Sequence, residues 1–326
     1  MIFKADWEKT TANYSLAAST VTGIVALAYP GKRLISWKII SDGCANINIK
    51  IQLEGDEAPL ILRIYLRDKD AAGREQSLAS LLLPATPVPH VLKVGDYQGY
   101  RFAITDFIPG ITLRDLLLSD DPHDVGAIMF NVGAMLAKIG THEFPAAGFF
   151  DQDLKIITPL SQQYYSQYSK DLLHNKIVIE RLGDTTVTNI NLLFDKYAHL
   201  FPTEHERHLV HADFDPANIL VTKIGNDWQI SGILDWEFSF SGSVLCDIAN
   251  MLRYAHEMPT IYEKEFLHGL KSCGIELPEN WRITVELLNL LSLLDCLVRS
   301  DFEQRPKQNA DICALIGSIE KRLKHE

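Results

Sequence analysis

The chain has 326 residues, 47% of them hydrophobic, with a formal net charge of −11 and a pI near 5.5. That length suits one large domain or two lobes sharing a groove, with room for a sizeable core. The acidic balance argues against nucleic acid or an anionic membrane surface as the main partner. Residues 5–29 carry Ala, Leu and Val at mixed helical spacing and predict a first helix. From Trp37 the pattern changes: "LISWKIISDG", "NINIKIQLEG" and "PLILRIYLRD" predict three antiparallel strands, with turns near Asp42–Gly43 and from Glu54 to Pro59. "AAGREQSLASLLLPA" has helical spacing and stops before Pro84. "HVLKVGDYQGYRFAITDFI" predicts two more strands joined near Tyr97–Gly99. After Gly110 the chain reads as helices, through "TLRDLLLSDD", "VGAIMFNVGAMLAKIGTHEF", residues 160–200 and residues 245–326. One segment departs from this: "NILVTK", "IGND" and "WQISGILDW" predict a β-hairpin with a polar turn.

Five widely spaced cysteines without a CxxC predict neither a disulfide framework nor a zinc site. "MIFKADWEKT" lacks the apolar region of a signal peptide, and "VTGIVALAYP" is too short to span a bilayer. A cytoplasmic protein with no membrane partner is therefore expected. The fold class expected is α+β and bilobed. An antiparallel-sheet lobe covers residues 1–108, a mainly helical lobe covers 109–326, and the boundary lies near residues 107–110.

"LVHADFDPANILV" places four polar groups, His211, Asp213, Asp215 and Asn218, between apolar flanks. Such groups are costly to bury unless paired or bound. The spacing His-x-Asp-x-x-x-x-Asn is that of the protein-kinase catalytic loop. There one carboxylate orients an attacking hydroxyl, an amide oxygen holds Mg²⁺, and a second carboxylate from the next strand holds the metal between the phosphates. Asp213, Asn218 and Asp235 fit those three roles in order, and Mg²⁺ needs no more than one or two carboxylates beside its waters. Taken alone, the loop spacing is also met by an ordinary turn and cap. "ILDWE" at the end of the hairpin tips the balance, because it supplies the second metal ligand.

Phosphate binding needs a strand cation paired with a carboxylate on the following helix. Arg63 in "LILRIY" and Glu75 in "GREQSLASLL" are placed for this, with Arg where Lys is usual. "ISDGCANINI" lies where a phosphate-covering loop belongs, with Gly43 and Asn46 as candidate contacts, although a plain hairpin turn fits as well.

In this order, "SDGCANINIKIQ", "LILRIYLRD", "REQSLASLL", "FAITDFIPGITLRDLL", "LAKIGTHEF", "LVHADFDPANILV", "ILDWEFSFSG" and "CDIANMLRY" resemble the aminoglycoside phosphotransferase family of kinase-like small-molecule phosphotransferases. "HADF" followed by "NIL" is most similar to its hygromycin phosphotransferase-like branch. The resemblance implies a bilobed protein-kinase-like fold, ATP or GTP as donor, and Mg²⁺. It makes Asp213 the catalytic base, Asn218 and Asp235 the metal ligands, and Arg63 with Glu75 the phosphate-binding pair. His211 and Asp247 would brace the loop, and the backbone near Asp106 to Ile108 would meet the adenine. The missing glycines and Arg63 leave the nucleotide open.

The acceptor implied is a small-molecule hydroxyl, of aminoglycoside type first, with choline-like, macrolide or sugar acceptors as alternatives. Acidic residues of the helical tail, Asp295 and Asp301 among them, are candidates for a cationic acceptor, against the plainer reading of solvated helix faces. A protein kinase is disfavoured because only 12 residues separate Asp235 from Asp247, with no APE-like anchor. A nucleotide-binding pseudokinase scaffold is the remaining rival.

Overall fold

The computed structural model describes residues 2–8, 16–40 and 46–326. Helix α1 (Ala18–Ala28) precedes strands β1 (Leu34–Ile39), β2 (Asn46–Leu53) and β3 (Leu60–Tyr65). Then come α2 (Ala71–Leu82), β4 (Val91–Tyr97) and β5 (Tyr100–Asp106). The five strands form one antiparallel sheet in the order β1-β2-β3-β5-β4. Period-2 alternation gives it two different faces. On one face Ile47, Ile49, Ile51, Leu62, Ile64, Phe102 and Ile104 pack against Val21, Ile24 and Val25 of α1. Arg63 and Tyr65 occupy the alternate positions of β3, and Tyr65 packs in the same cluster as Ala71, Leu78 and Leu82 of α2. Arg63 is thereby held on the side of the sheet that faces the rest of the chain.

The first helix is shorter than its composition predicts. Ala17 is extended, and residues 2–4 form a separate 3₁₀ turn in which Phe3 and Lys4 have φ of 51° and 62°. A helix cannot continue through that geometry. Tertiary packing imposes it: Phe3 is 3% exposed and packs on Tyr254 and Tyr262. Residues 2–8, counted with the first lobe on sequence grounds, thus lie on the helical half.

At the lobe junction Gly110 has φ of 148°, and a Cβ there would sit 2.8 Å from the Val221 carbonyl oxygen. The second half begins with β6 (Ile111–Thr112), α3 (Leu113–Leu117) and α4 (Val125–Ile139). The side chain of Asp124 caps α4 by accepting from the Ala127 amide at 3.0 Å. It continues through β7 (Gly148–Phe150), β8 (Ile156–Pro159), α5 (Gln162–Leu173), α6 (Lys176–Leu182) and α7 (Asp184–Tyr197). Next are β9 (His208–Val210) and the hairpin β10 (Ile219–Ile224) with β11 (Asp227–Ile233), which pairs further with β6. Then follow β12 (Phe240–Gly242), α8 (Leu245–Leu252), α9 (Thr260–Ser272), α10 (Trp281–Arg299) and α11 (Pro306–Lys324). The expected α+β, bilobed organisation is what the structure has. An unexpected four-stranded sheet, β8-β7-β12-β9, sits inside the helical half. Its strands have three or four residues, too few to show alternation in sequence.

Helices α4 and α9 touch through glycines. A Cβ on Gly133 would lie 2.0 Å from the Phe266 carbonyl oxygen, and one on Gly269 would lie 2.0 Å from that of Phe130. Gly133→Ala would gain about 1 kcal/mol of helix propensity. Separating two backbones to relieve the clash costs more, typically about 1–3 kcal/mol. A net loss of stability is expected in a denaturant melt, and a variant as stable as the parent refutes this account of the contact.

Candidate active site

The loop between β9 and β10 is pinned from α8. Asp247 accepts from the His211 and Ala212 amides, both at 2.8 Å, and Asn250 donates to the Ala212 carbonyl at 2.8 Å. These bonds hold Ala212 at φ of 72°, a conformation rare for a residue with a Cβ. Burial drives the Asp247 carboxyl up to about 7, against the two amide bonds that favour its charged form. His211 is fully buried and sits between the Leu234 carbonyl (2.8 Å from Nε2) and the Asp213 amide (3.2 Å from Nδ1). One nitrogen must donate and the other accept, which is the neutral tautomer. Burial lowers its pKa and favours the same form.

Asp213 emerges from this brace into a cleft of about 510 Å³ that Asn218, Asp235 and Arg63 also line. The hairpin brings Asn218 and Asp235 together, since the Leu234 amide donates to the Asn218 carbonyl at 2.8 Å. Asp235 follows in a left-handed conformation, φ 64°. The Asn218 amide nitrogen donates to the Asp213 carbonyl and to its Oδ2, at 2.9 and 2.8 Å. Its oxygen is the pole left for a cation.

Arg63 faces three carboxylates. It lies 3.5 Å from Glu75, pairs with Asp235, and reaches Glu237 at 3.2 Å. Burial pushes the Glu237 carboxyl up to about 7 despite Arg63, and burial raises Glu75 as well.

Residues 36–282 match the phosphotransferase enzyme family. The chain belongs to that family. A curated relative, hygromycin-B 4-O-kinase of Escherichia coli, is 25% identical over 182 residues. That alignment covers 51% of this chain and 48% of the relative, so the chain spans about half the length of the curated relative it matches. The fold is similar to that of a thermostable mutant of aminoglycoside phosphotransferase APH(4)-Ia in a ternary complex with ADP and hygromycin B. The TM-score there is 0.71, at 18% identity, covering 93% of this chain and 98% of that one. It is also similar to macrolide 2'-phosphotransferase MphH from Brachybacterium faecium, with TM-score 0.63, 13% identity, and 91% and 97% covered.

One guanidinium here stands opposite three acidic side chains, a setting that suits a divalent cation bound with nucleotide phosphates. The side-chain oxygens of Asn218 and Asp235, which line the cleft there, are hard donors of the kind Mg²⁺ prefers. Asn218 and Asp235 are the residues that would hold it. Among the described residues no group of three or more His, Cys, Asp or Glu forms a metal cage, and a phosphate-bridged ion needs none.

Some expected residues do not meet the cleft as read from sequence. Gly43 lies outside the described residues. Asn46 lines the cleft but donates to Glu237 at 2.8 Å. Glu75 does stand where expected, buried 3.5 Å from Arg63, and also accepts from the Tyr65 hydroxyl. Asp106 is committed at the end of β5: its side chain accepts from the His90 amide at 2.7 Å, and its own amide donates to the His90 carbonyl at 3.2 Å. Neither Asp106 nor Ile108 lines the cleft; Ile108 packs against Gly232. Asp301 is exposed, accepts from the Glu303 and Gln304 amides, and is not among the residues that line the cleft, although Ser300 and Arg305 beside it are. The Asp-x-Glu spacing of a solvated turn explains it. Asp295 does line the cleft.

Sequence reasoning passed over three residues. Glu237 stands two positions after Asp235, and only the 3₁₀ turn at Trp236–Phe238 aims it at Arg63. Arg253 follows the "CDIAN" helix. Lys4 lies 3.2 Å from Asp213 and also pairs with Asp215. Asp215 keeps its turn role, accepting from the Ala217 amide at 2.8 Å, and is also this ion-pair partner. Burial opposes the charge on Asp213, yet Lys4, Arg253 and the hydrogen bond from Asn218 hold its carboxyl below the usual carboxylate range.

Glu237 gives a pH test. An acid raised in the fold keeps a proton that the unfolded chain loses, so its stability contribution declines as pH rises from about 4.5 to about 7. That window is worth on the order of 3 kcal/mol for a group shifted this far. Glu237→Gln keeps an acceptor for Asn46 and removes the titration. Its stability, from denaturant midpoints of the nucleotide-free protein, is expected to fall less than the parent's between pH 5 and pH 7.5. Parallel curves would contradict the assignment.

Proposed function

We propose that this phosphotransferase moves the γ-phosphoryl group of ATP, with GTP as the alternative donor, to a hydroxyl of a small molecule. The observation that carries this reading is the meeting of Asp213, Asn218, Asp235 and Arg63 in one cleft. Asp213 orients the acceptor hydroxyl and takes its proton as the bond to phosphorus forms. Arg63 would pair with the nucleotide phosphates, and Asp235, its present partner, would be available to a bound cation. Mg²⁺, when bound through Asn218 and Asp235, spreads the charge of the transferring group. His211 and Asp247 position the loop. The strand-rich part up to residue 108, without residues 2–8, serves the nucleotide, and residues 109–326 serve the acceptor. A peptide acceptor is disfavoured by the short path from Asp235 through β12 to α8, which leaves little chain to dock a substrate.

The names of the relatives make an aminoglycoside the first acceptor to try. A mass-shift screen for phosphorylated products, run with ATP and Mg²⁺ on aminoglycosides, macrolides, choline-like alcohols, sugars and flat aromatic alcohols, tests the reaction class. Magnesium-dependent product from any of these supports it. Nucleotide binding with no product from any acceptor favours a pseudokinase.

A further inference from the structure

Beyond Asp213 the cleft runs between α5, α8 and α10. Its charges are the reverse of an acidic polyamine site. Two carboxylates stand there, and each already holds a cation. Asp213 holds Lys4 at 3.2 Å, and Asp295 holds Arg299 at 2.5 Å while accepting from the Tyr168 hydroxyl at 2.8 Å. Arg253 adds a third cation. It is 6% exposed and is held by Asn289, Asn250 and Ser292 at 2.9, 2.6 and 3.0 Å, all neutral groups.

Lys4 is not a loose side chain. Residues 2–8 form a strap fixed on both sides of it. Phe3 packs on Tyr254 and Tyr262, with ring centroids 5.7 and 5.9 Å apart. The Trp7 indole donates to Asp311 at 2.9 Å. Glu8 accepts from the Lys307 and Gln308 amides, at 2.7 and 3.1 Å, in the first turn of α11. The strap therefore presents a tethered ammonium to the carboxylate that an acceptor's amine would otherwise seek.

The walls are flat and apolar. Phe149 lies 6.0 Å from Tyr164 and 5.5 Å from Phe240, and Tyr164 stacks on Tyr168 at 6.0 Å. Such rings favour a planar partner. An acceptor amine would meet like charge at each carboxylate, a repulsion of the kind by which sites reject wrong ligands.

We propose that the acceptor is a flat, largely apolar alcohol that is neutral or anionic, and that Lys4 is the specificity-determining residue that turns polyamines away from Asp213. This rests on the phosphotransferase reading above and narrows its acceptor. Arg253 and Arg299 give an anionic group its partners, and the rings hold the body of the molecule.

The test is calorimetric titration of the complex with Mg²⁺ and AMP-PNP, using hydroxymethylnaphthoate and hygromycin B as probes. The wild type is expected to bind the naphthoate at least about tenfold more tightly than hygromycin B, in line with the coupling of close charge pairs. Lys4→Met is expected to shift that ratio by about tenfold toward hygromycin B. Lys4→Arg is expected to restore it. AMP-PNP affinity reports whether each variant is folded. If Lys4→Met loses it, Arg299→Gln, which frees Asp295, is expected to move the ratio the same way. The proposal falls if hygromycin B binds the wild type as tightly as the naphthoate. It also falls if the folded variant leaves the ratio unchanged, or if the naphthoate binds no form. Failure of the phosphotransferase reading shows separately, as no ADP formed from ATP and Mg²⁺ with any acceptor.

Discussion

Replacing Asp213 with Ala is expected to lower phosphoryl transfer by roughly 10²–10⁴-fold, the range for removal of a positioned base. The loop itself should survive. Its geometry is set by Asp247, Asn250 and His211 through backbone bonds that do not use the Asp213 side chain, apart from the donation by Asn218. Nucleotide affinity should change little, because Asp213 is proposed to face the acceptor rather than the phosphates. Lys4 would keep Asp215 as its partner, so the strap stays in place. Initial rates and ATP titrations on the same protein check both halves. Transfer within a few-fold of the parent, with nucleotide still bound, would sink Asp213 as the base.

The second large effect is at Asp235, where Asn is the informative substitution. Asn tolerates the left-handed conformation that Asp235 adopts, so the backbone is not perturbed. Removing one of three carboxylates around Arg63 eases the excess negative charge. The nucleotide-free protein should therefore be no less stable than the parent. With ATP and Mg²⁺ the sign reverses: the cation loses an anionic ligand, and turnover is expected to drop by at least about 10²-fold. The Mg²⁺ concentration needed for half-maximal rate should rise. A variant that keeps parental Mg²⁺ dependence would remove Asp235 from the metal site.

Much of the proposed catalytic half-site was legible because it is local. Asp213, Asn218 and Asp235 fall within one loop and one hairpin, and hairpin pairing brings its ends together without reference to the rest of the chain. Arg63 and Glu75 were legible for a related reason. Strand alternation sets Arg63 opposite Leu62 and Ile64, and the next helix returns over that face. The four-stranded sheet was not legible, because its short strands pair across long separations, such as Phe240 with Val210 and with Phe149. Composition also misplaced the first helix, since helical spacing in residues 5–29 cannot show that Phe3 is drawn into a pocket of Tyr254 and Tyr262.

The charge of the acceptor end is the sharpest case. Acidic residues are plentiful in the helical tail, and their number suggested a site for a cation. A residue count carries no information about pairing. Asp301 turns out to be a solvated turn cap, and Asp295 is spoken for by Arg299 and Tyr168. Cations that reach this end of the cleft include Lys4, Arg253 at the end of α8, Arg299 at the end of α10 and Arg305 just before α11. Sequence alone determined the fold class, the family and the loop proposed to carry the chemistry, since periodicity and short spacings act over a few residues. Tertiary structure decided which charges meet there, because an ion pair depends on distance in space, and Lys4 and Asp213 are 209 positions apart in the chain.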